Sequence, residues 1–318
     1  MQHSVNSDIP ISIVICTQNR ADLLSDVLST LCEQDLSASC YEIIVVDNDS
    51  RDRTRRVAED YCHKYDNVRY CMELQHGLSH ARNRGWLEAK GDYVGYVDDD
   101  CKVPPQWLTV ANKIIDQIAP AIFGGPTYPF YNSQKPYWWK NTYGIFEHGP
   151  SPRSLHQSEF LIGCNFFVRR SVLKNMCGFD ITLGMYDQNL GYGEESEFQM
   201  RLWATMSDKT IYYDPELFVY HLVRSEQMSL RWNLKSRFAG GRYSYYVFHD
   251  DNVQAVRSSK HKLRVKAVLI LIRAFLDIMV GLFRREREPY PYLQNYLYEN
   301  TLNYVRNFGV IYEKCKSY

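Results

Sequence analysis

The sequence predicts an α/β protein on a doubly wound, mostly parallel sheet, with a mainly helical C-terminal region. Three observations carry this. Short β-branched runs alternate with segments of helical period over residues 10–120. The links between them are short, as parallel crossovers require. The 318 residues are 45% hydrophobic, enough for a large core and too many for a disordered chain.

Taken in order, "ISIVICTQNR" (11–20) opens with a strand-length run, and "ADLLSDVLSTLCEQ" continues with helical spacing. "YEIIVVDNDS" (41–50) reads as a buried strand ending in a polar turn. A helix ("RDRTRRVAEDYCHKY"), a short strand ("NVRYCMEL"), a helix ("GLSHARNRGWLEAK") and a fourth strand ("GDYVGYVDDD") follow. Beyond residue 120 the Gly-, Pro- and aromatic-rich "FGGPTYPFYNSQKPYWWKNTYG" predicts a long shaped loop. "FLIGCNFFVRRSVL" predicts a strand then a helix, "GYGEESEFQMRLWATM" a glycine-led helix, and "KTIYYDPELFVYHLV" a strand pair ending near His221. No internal repeat interrupts the series.

Equal totals of 37 basic and 37 acidic residues conceal an uneven spread. Residues 222–318 hold 17 basic and 8 acidic residues, leaving 20 and 29 for residues 1–221. The nine cysteines are scattered, without C-x-x-C or zinc spacing, and "MQHSVNSDIP" has no basic then apolar leader pattern. Reduced thiols and a cytoplasmic protein are therefore expected. "KHKLRVKAVLILIRAFLDIMVGLFRRERE" (260–288) has an apolar run from Ala267 to Phe283, broken by Arg273 and Asp277 on one helix face. The unbroken apolar length is too short to span a bilayer. Its basic flanks suit a peripheral membrane-surface helix; a core or dimer helix with an internal ion pair is the alternative.

Chemistry is expected where the strands end, because ligands of such sheets sit at their carboxyl ends. Thr17, Asp47 and the run Asp98-Asp99-Asp100 all fall there. Crowded carboxylates need a cation or hydrogen-bond donors, and a hard divalent ion with substrate phosphates completing its shell provides one. A solvated acidic turn is the plain alternative. Neither a G-x-G-x-x-G after a strand nor a G-x-x-x-x-G-K-[ST] occurs, so neither a dinucleotide nor a P-loop site is supported. H-E-x-x-H and a nucleophile elbow are absent too, and the basic rear carries no nucleic-acid-binding motif.

"VICTQNR", "IIVVDNDSRDRT", "GLSHARNRGWLEAKGDYVGYVDDDCKVPPQWL" and "GEESEF" occur in an order and spacing that resembles the family-2 glycosyltransferases. The resemblance covers roughly residues 10–221. It implies a GT-A, Rossmann-like fold for residues 1–221, with a nucleotide-sugar half (10–120) and an acceptor half (121–221), ahead of a basic, mainly helical region 222–318. It implies inverting, metal-dependent transfer from a nucleotide-diphosphate sugar, UDP-linked by preference. The acceptor would be a glycan or lipid-linked saccharide in cell-surface polysaccharide synthesis. By resemblance Thr17 and Arg20 line the nucleotide, Asp47 accepts from the base, and Arg82 lies on the nucleotide side. Asp98 sits near the ribose, Asp99 between, and Asp100 ligates Mn²⁺ or Mg²⁺. Gln75-His76-Gly77 departs from the family, which commonly has Asn two before the glycine.

An inverting transfer needs a base for the acceptor hydroxyl. The family places an acidic pair at a helix start, here Glu194-Glu195, with Glu195 the base and Glu in place of the usual Asp. A helix N-terminus favours an ionised carboxylate. His221 is expected either to complete the metal site or to be a structural strand-end histidine. Trp138 and Trp139 are expected as acceptor-stacking faces or as a plug under a loop, and Gly163 and Asn165 as acceptor-side residues. The alternatives weighed are a sugar-1-phosphate nucleotidyltransferase, which lacks its Gly-rich loop here, and a catalytically silent binding protein, which would not need these acids.

Overall fold

A computed structural model describes residues 9–186, 190–205, 211–248, 260–286 and 288–317. The chain divides into two compact units. One comprises Met1–Phe130, Gly144–Asp187 and Glu194–Leu222; the other comprises Tyr131–Tyr143, Gln188–Gly193 and Val223–Tyr318.

The first unit begins β1 (Ile11–Thr17), α1 (Ala21–Cys32), β2 (Tyr41–Asp47), α2 (Thr54–Lys64), β3 (Val68–Met72), α3 (Leu78–Glu88) and β4 (Tyr93–Asp98). It continues β5 (Cys101–Lys102), α4 (Trp107–Gln117), β6 (Ile122–Gly124), β7 (Thr127–Phe130), β8 (Arg153–Ser154), β9 (Phe166–Arg169), α5 (Arg170–Asn175), α6 (Glu194–Thr205), β10 (Ile211–Tyr213) and β11 (Val219–Leu222). The main sheet has the order β3-β2-β1-β4-β9-β6-β10-β8, and its first four strands are parallel. β9 runs antiparallel between β4 and β6. A small sheet, β5-β11-β7, stands beside it. This is the mostly parallel architecture that the alternation predicts.

The local reasons are plain in the sequence. β2 is buried at every position, so Ile43–Val46 read as a continuous apolar run, while the buried Glu42 and Asp47 are held by Arg69 and the Ser50 N–H. α1 buries Leu24, Val27, Leu28 and Leu31 at three- and four-residue spacing, each contributing about 1.5–3 kcal/mol. α3 lies so close on β1 that a Cβ at Gly85 would sit 2.3 Å from Val14 Cγ1. The shaped loop after residue 120 contains a strand the sequence does not announce, β7. Pro129 is accommodated there because β7 is an edge strand, where a missing N–H breaks no ladder bond.

The second unit holds α7 (Leu230–Phe248), α8 (Lys260–Arg284), α9 (Leu293–Tyr296), a π-helical turn (Leu297–Thr301) and α10 (Leu302–Lys316). α7 and α10 cross closely: a Cβ at Gly241 would lie 2.0 Å from the Arg306 carbonyl oxygen. Arg242 Nε and the Tyr246 hydroxyl both donate to Glu313, at 2.6 and 2.7 Å. The segment Tyr131–Tyr143, which the sequence assigns to residues 1–221, packs in this unit instead. Trp138, Trp139 and Tyr143 form one cluster with Met228 and Tyr298.

Candidate active site

Parallel pairing sets Thr17 opposite Asp47 and Cys16 opposite Asp98, so three strands deliver their polar ends to one edge. β2 and β4 flank β1 on opposite sides, making its carboxyl end the point where strand order reverses.

The three consecutive aspartates separate in space. Asp99 is buried, accepting from Thr17 Oγ1 at 2.8 Å and from Arg20 Nη1 at 2.7 Å. Burial and the Asp100 charge raise Asp99 to about 6, against the pull of Arg20 and Thr17. In the structure, Thr17 and Arg20 therefore clamp the middle aspartate, tying the loop after β1 to the acidic turn.

Asp98 and Asp100 face His221. The antiparallel pairing of β11 with β5 sets His221 opposite Cys101, and the Leu222 N–H donates to the Asp100 carbonyl at 3.0 Å. That ladder brings His221 Nε2 to 3.1 Å from Asp100 Oδ1 and 3.8 Å from Asp98 Oδ2. One ligand atom from each of the three lies within 4.8 Å of the others. Two carboxylate oxygens and an imidazole nitrogen suit Mn²⁺ or Mg²⁺ with positions left for phosphate oxygens. Burial works against a charged His221, but Cys164, Asp100 and Asp98 outweigh it and lift the imidazole to about 10. A proton on His221 and a metal cation are thus alternative ways to balance the same two carboxylates.

Arg82 joins this acidic group to another. Buried on α3, it donates through Nη1 to Glu194 Oε1 at 2.7 Å. The same nitrogen is 3.8 Å from Glu195 Oε2, and Nη2 is 3.7 Å from Asp98 Oδ1. Gly163 makes the room: a Cβ there would lie 2.3 Å from Arg82 Nη2.

Glu194 and Glu195 open α6, where unpaired backbone N–H groups favour negative charge. Oε2 of each is buried and accepts no hydrogen bond. Burial and the Glu195 charge push Glu194 up to about 8, although Arg82 opposes them. Together the two acids therefore carry less than their full charge, a property of the pair rather than of one residue.

Asp47 is fully buried and accepts from the Ser50 N–H at 2.9 Å and the Tyr70 hydroxyl at 3.1 Å. Sequence reading missed Tyr70 and also Asn48. Asn48 donates to the carbonyls of Glu73 and Gln75 and accepts from the Gly77 N–H at 2.9 Å. It thereby shapes the entry to α3, where Gly77 adopts φ 123°. Since Asn48 takes only the backbone of Gln75, that family departure leaves this bond intact. The turn-forming "DNDS" was the available signal.

Trp138, Trp139 and Asn165, expected on the acceptor side, are packed against other side chains and loops. Trp138 and Trp139 are only 6% and 7% exposed, their rings packed on each other, Tyr143 and Tyr298. They form a hydrophobic plug and offer no free stacking face. Asn165 is fully buried, accepting from Trp107 Nε1 and donating to the carbonyls of Pro126 and Leu217. Its amide is consumed in joining loops.

The glycosyl transferase family 2 model matches residues 12–177, just over half of the chain. A glycosyltransferase of the archaeon Haloferax volcanii, AglE, is 28% identical over 180 residues, 55% of this chain and only 58% of its own length. The succinoglycan biosynthesis protein ExoM of Rhizobium meliloti is 27% identical over 241 residues, 74% of each chain. Among solved structures, the mannosyltransferase PcManGT from Pyrobaculum calidifontis, in complex with GDP-Man and Mn²⁺, superposes with a TM-score of 0.62 at 15% identity. That superposition covers 96% of this chain and 90% of the other, and at such identity it speaks for the fold alone.

Proposed function

This chain belongs to glycosyl transferase family 2, and on that premise we propose that it is an inverting, metal-dependent glycosyltransferase acting on a nucleotide-diphosphate sugar. The observation that carries the reading is Arg82. One buried guanidinium lies within 3.8 Å of both the acidic pair on α6 and Asp98 of the candidate cation site. A base and a diphosphate anchor are thereby supported side by side.

In this reading the acceptor hydroxyl oxygen attacks C1 of the donor sugar. Glu195 takes the hydroxyl proton, and the C1–oxygen bond to the diphosphate breaks with its electron pair leaving on the nucleotide. Inversion follows from a single displacement. Glu194, held by Arg82 through its Oε1, orients its neighbour. Asp100, His221 and Asp98 would hold the divalent cation, which when bound neutralises negative charge on the leaving diphosphate. Asp47 is assigned to the base, and Thr17, Arg20 and Arg82 to the nucleotide side, with residues 1–221, less the segments Tyr131–Tyr143 and Gln188–Gly193, as the catalytic domain.

UDP is the favoured nucleotide. The acceptor is a glycan or lipid-linked saccharide in cell-surface polysaccharide synthesis, a class in keeping with the name of the ExoM relative. The protein is placed in the cytoplasm, peripheral to a membrane. A donor-hydrolysis screen across UDP-, GDP-, dTDP- and CMP-sugars with Mn²⁺ tests this. UDP-sugar turnover that stops with EDTA is expected; full-rate turnover in EDTA would remove the cation from the mechanism.

A further inference from the structure

The second unit exposes an apolar surface out of proportion to its needs. From Val268 to Phe283, α8 has twelve exposed positions, and eleven are large apolar residues, Arg273 being the exception. Phe275 is 63% exposed and Phe283 75%. The covered positions, Leu263, Ala267, Ile270, Ala274, Asp277 and Gly281, recur at three- and four-residue spacing and form one narrow stripe. That stripe is held down. Asp277 accepts from the Tyr296 and Thr301 hydroxyls at 2.8 and 2.6 Å, and a Cβ at Gly281 would lie 2.5 Å from the Tyr296 ring. Asp277, read from sequence as half of an internal ion pair with Arg273, is thus a docking residue within the unit, and Arg273 is left on the open side.

At 3.6 residues per turn the exposed apolar side chains sweep about 200° of the helix circumference. A single partner helix covers a seam near 100° and would leave roughly half of that arc wet. A lipid interface wets the whole arc at once. Charge points the same way. Lys260, Lys262, Arg264 and Lys266 crowd the first two turns, and Arg284 and Arg285 close the other end. Among the described residues no helix is long and apolar enough to cross a membrane.

We infer that α8 lies in the plane of an anionic phospholipid surface, its outer arc immersed in the headgroup–acyl boundary and its basic ends on acidic headgroups. This deepens the peripheral placement proposed above and names its residues. It does not depend on transfer chemistry.

The full chain should co-sediment with vesicles of 70:30 phosphatidylcholine and phosphatidylglycerol, and far less with pure phosphatidylcholine. Phe275→Asp with Met279→Asp, both exposed and so compatible with folding, should lower the partition coefficient at least about tenfold. Replacing Lys260, Lys262 and Arg264 by Gln should cost about fivefold per residue and remove the lipid-charge dependence. Glu195→Gln should bind vesicles like the parent, so failure of the transfer reading would leave this result standing. Equal sedimentation with and without vesicles overturns the inference. So does a concentration-dependent dimer, seen by light scattering and dissolved by the Asp pair, in a chain that ignores vesicles.

Discussion

The strand-end site of the first unit and α8 of the second break the usual burial rule in opposite ways. At the site, Asp99, Asp100, Arg82 and Glu194 are buried ionisable side chains. On α8, large apolar side chains face outward. Buried polar groups and exposed apolar patches are the informative departures, since each costs free energy in an isolated fold. The site offsets its cost internally, through hydrogen bonds and paired charges. α8 has no such compensation among the described residues, and the lipid surface inferred above would supply it. Electrostatics therefore marks the chemistry, and uncovered apolar area marks attachment.

The largest effect is expected at the cation site. Asp100→Ala should abolish Mn²⁺ binding by calorimetry and lower transfer by about 10³-fold or more, the scale of losing a Lewis acid at a leaving group. Metal binding retained at parental affinity would move the site elsewhere. Glu195→Gln should leave donor affinity unchanged while lowering kcat by about 10²–10⁴-fold. Unaltered kcat would mean that another group takes the proton.

Arg82 tests whether the site's charges are compensated as described. Arg82→Met leaves Glu194 and Asp98 without their shared cation and should destabilise the fold by about 3–5 kcal/mol, read by denaturant titration. A neutral result would show that the acids are not held by this residue. Trp139→Ala should cost about 3–5 kcal/mol with acceptor KM unmoved, as expected of a plug. A raised KM at intact stability would restore the sugar-stacking role.

The smallest effect is a slope. Glu194 stands at about 8 in the folded chain against 4.5 as its ordinary value. Folding takes up a proton between those values, so this group's contribution to stability falls as pH rises from 4.5 to about 8. Glu194→Gln should flatten that limb in melts at pH 5 and pH 8. An unchanged slope would assign the proton uptake elsewhere.

Much of this is legible in the sequence. The alternation of β-branched runs and amphipathic spacing determined the parallel half of the sheet, because periods of 2 and 3.6 follow from backbone geometry alone. Strand ends marked Thr17, Asp47 and Asp98–Asp100, since connectivity alone puts parallel strand ends on one edge. Tertiary structure decided the rest. Whether Asp99 meets a cation or Arg20, whether Arg82 faces a nucleotide or Glu194, and whether Trp138 stacks a sugar or fills a core depend on partners roughly 80 to 160 residues away. No local period encodes such pairings. The same holds for β7 and His221, whose places come from short ladders between distant segments, and for α8. Its sequence fits a core helix or a surface helix equally well, and only packing showed which stripe is covered and which arc is left open.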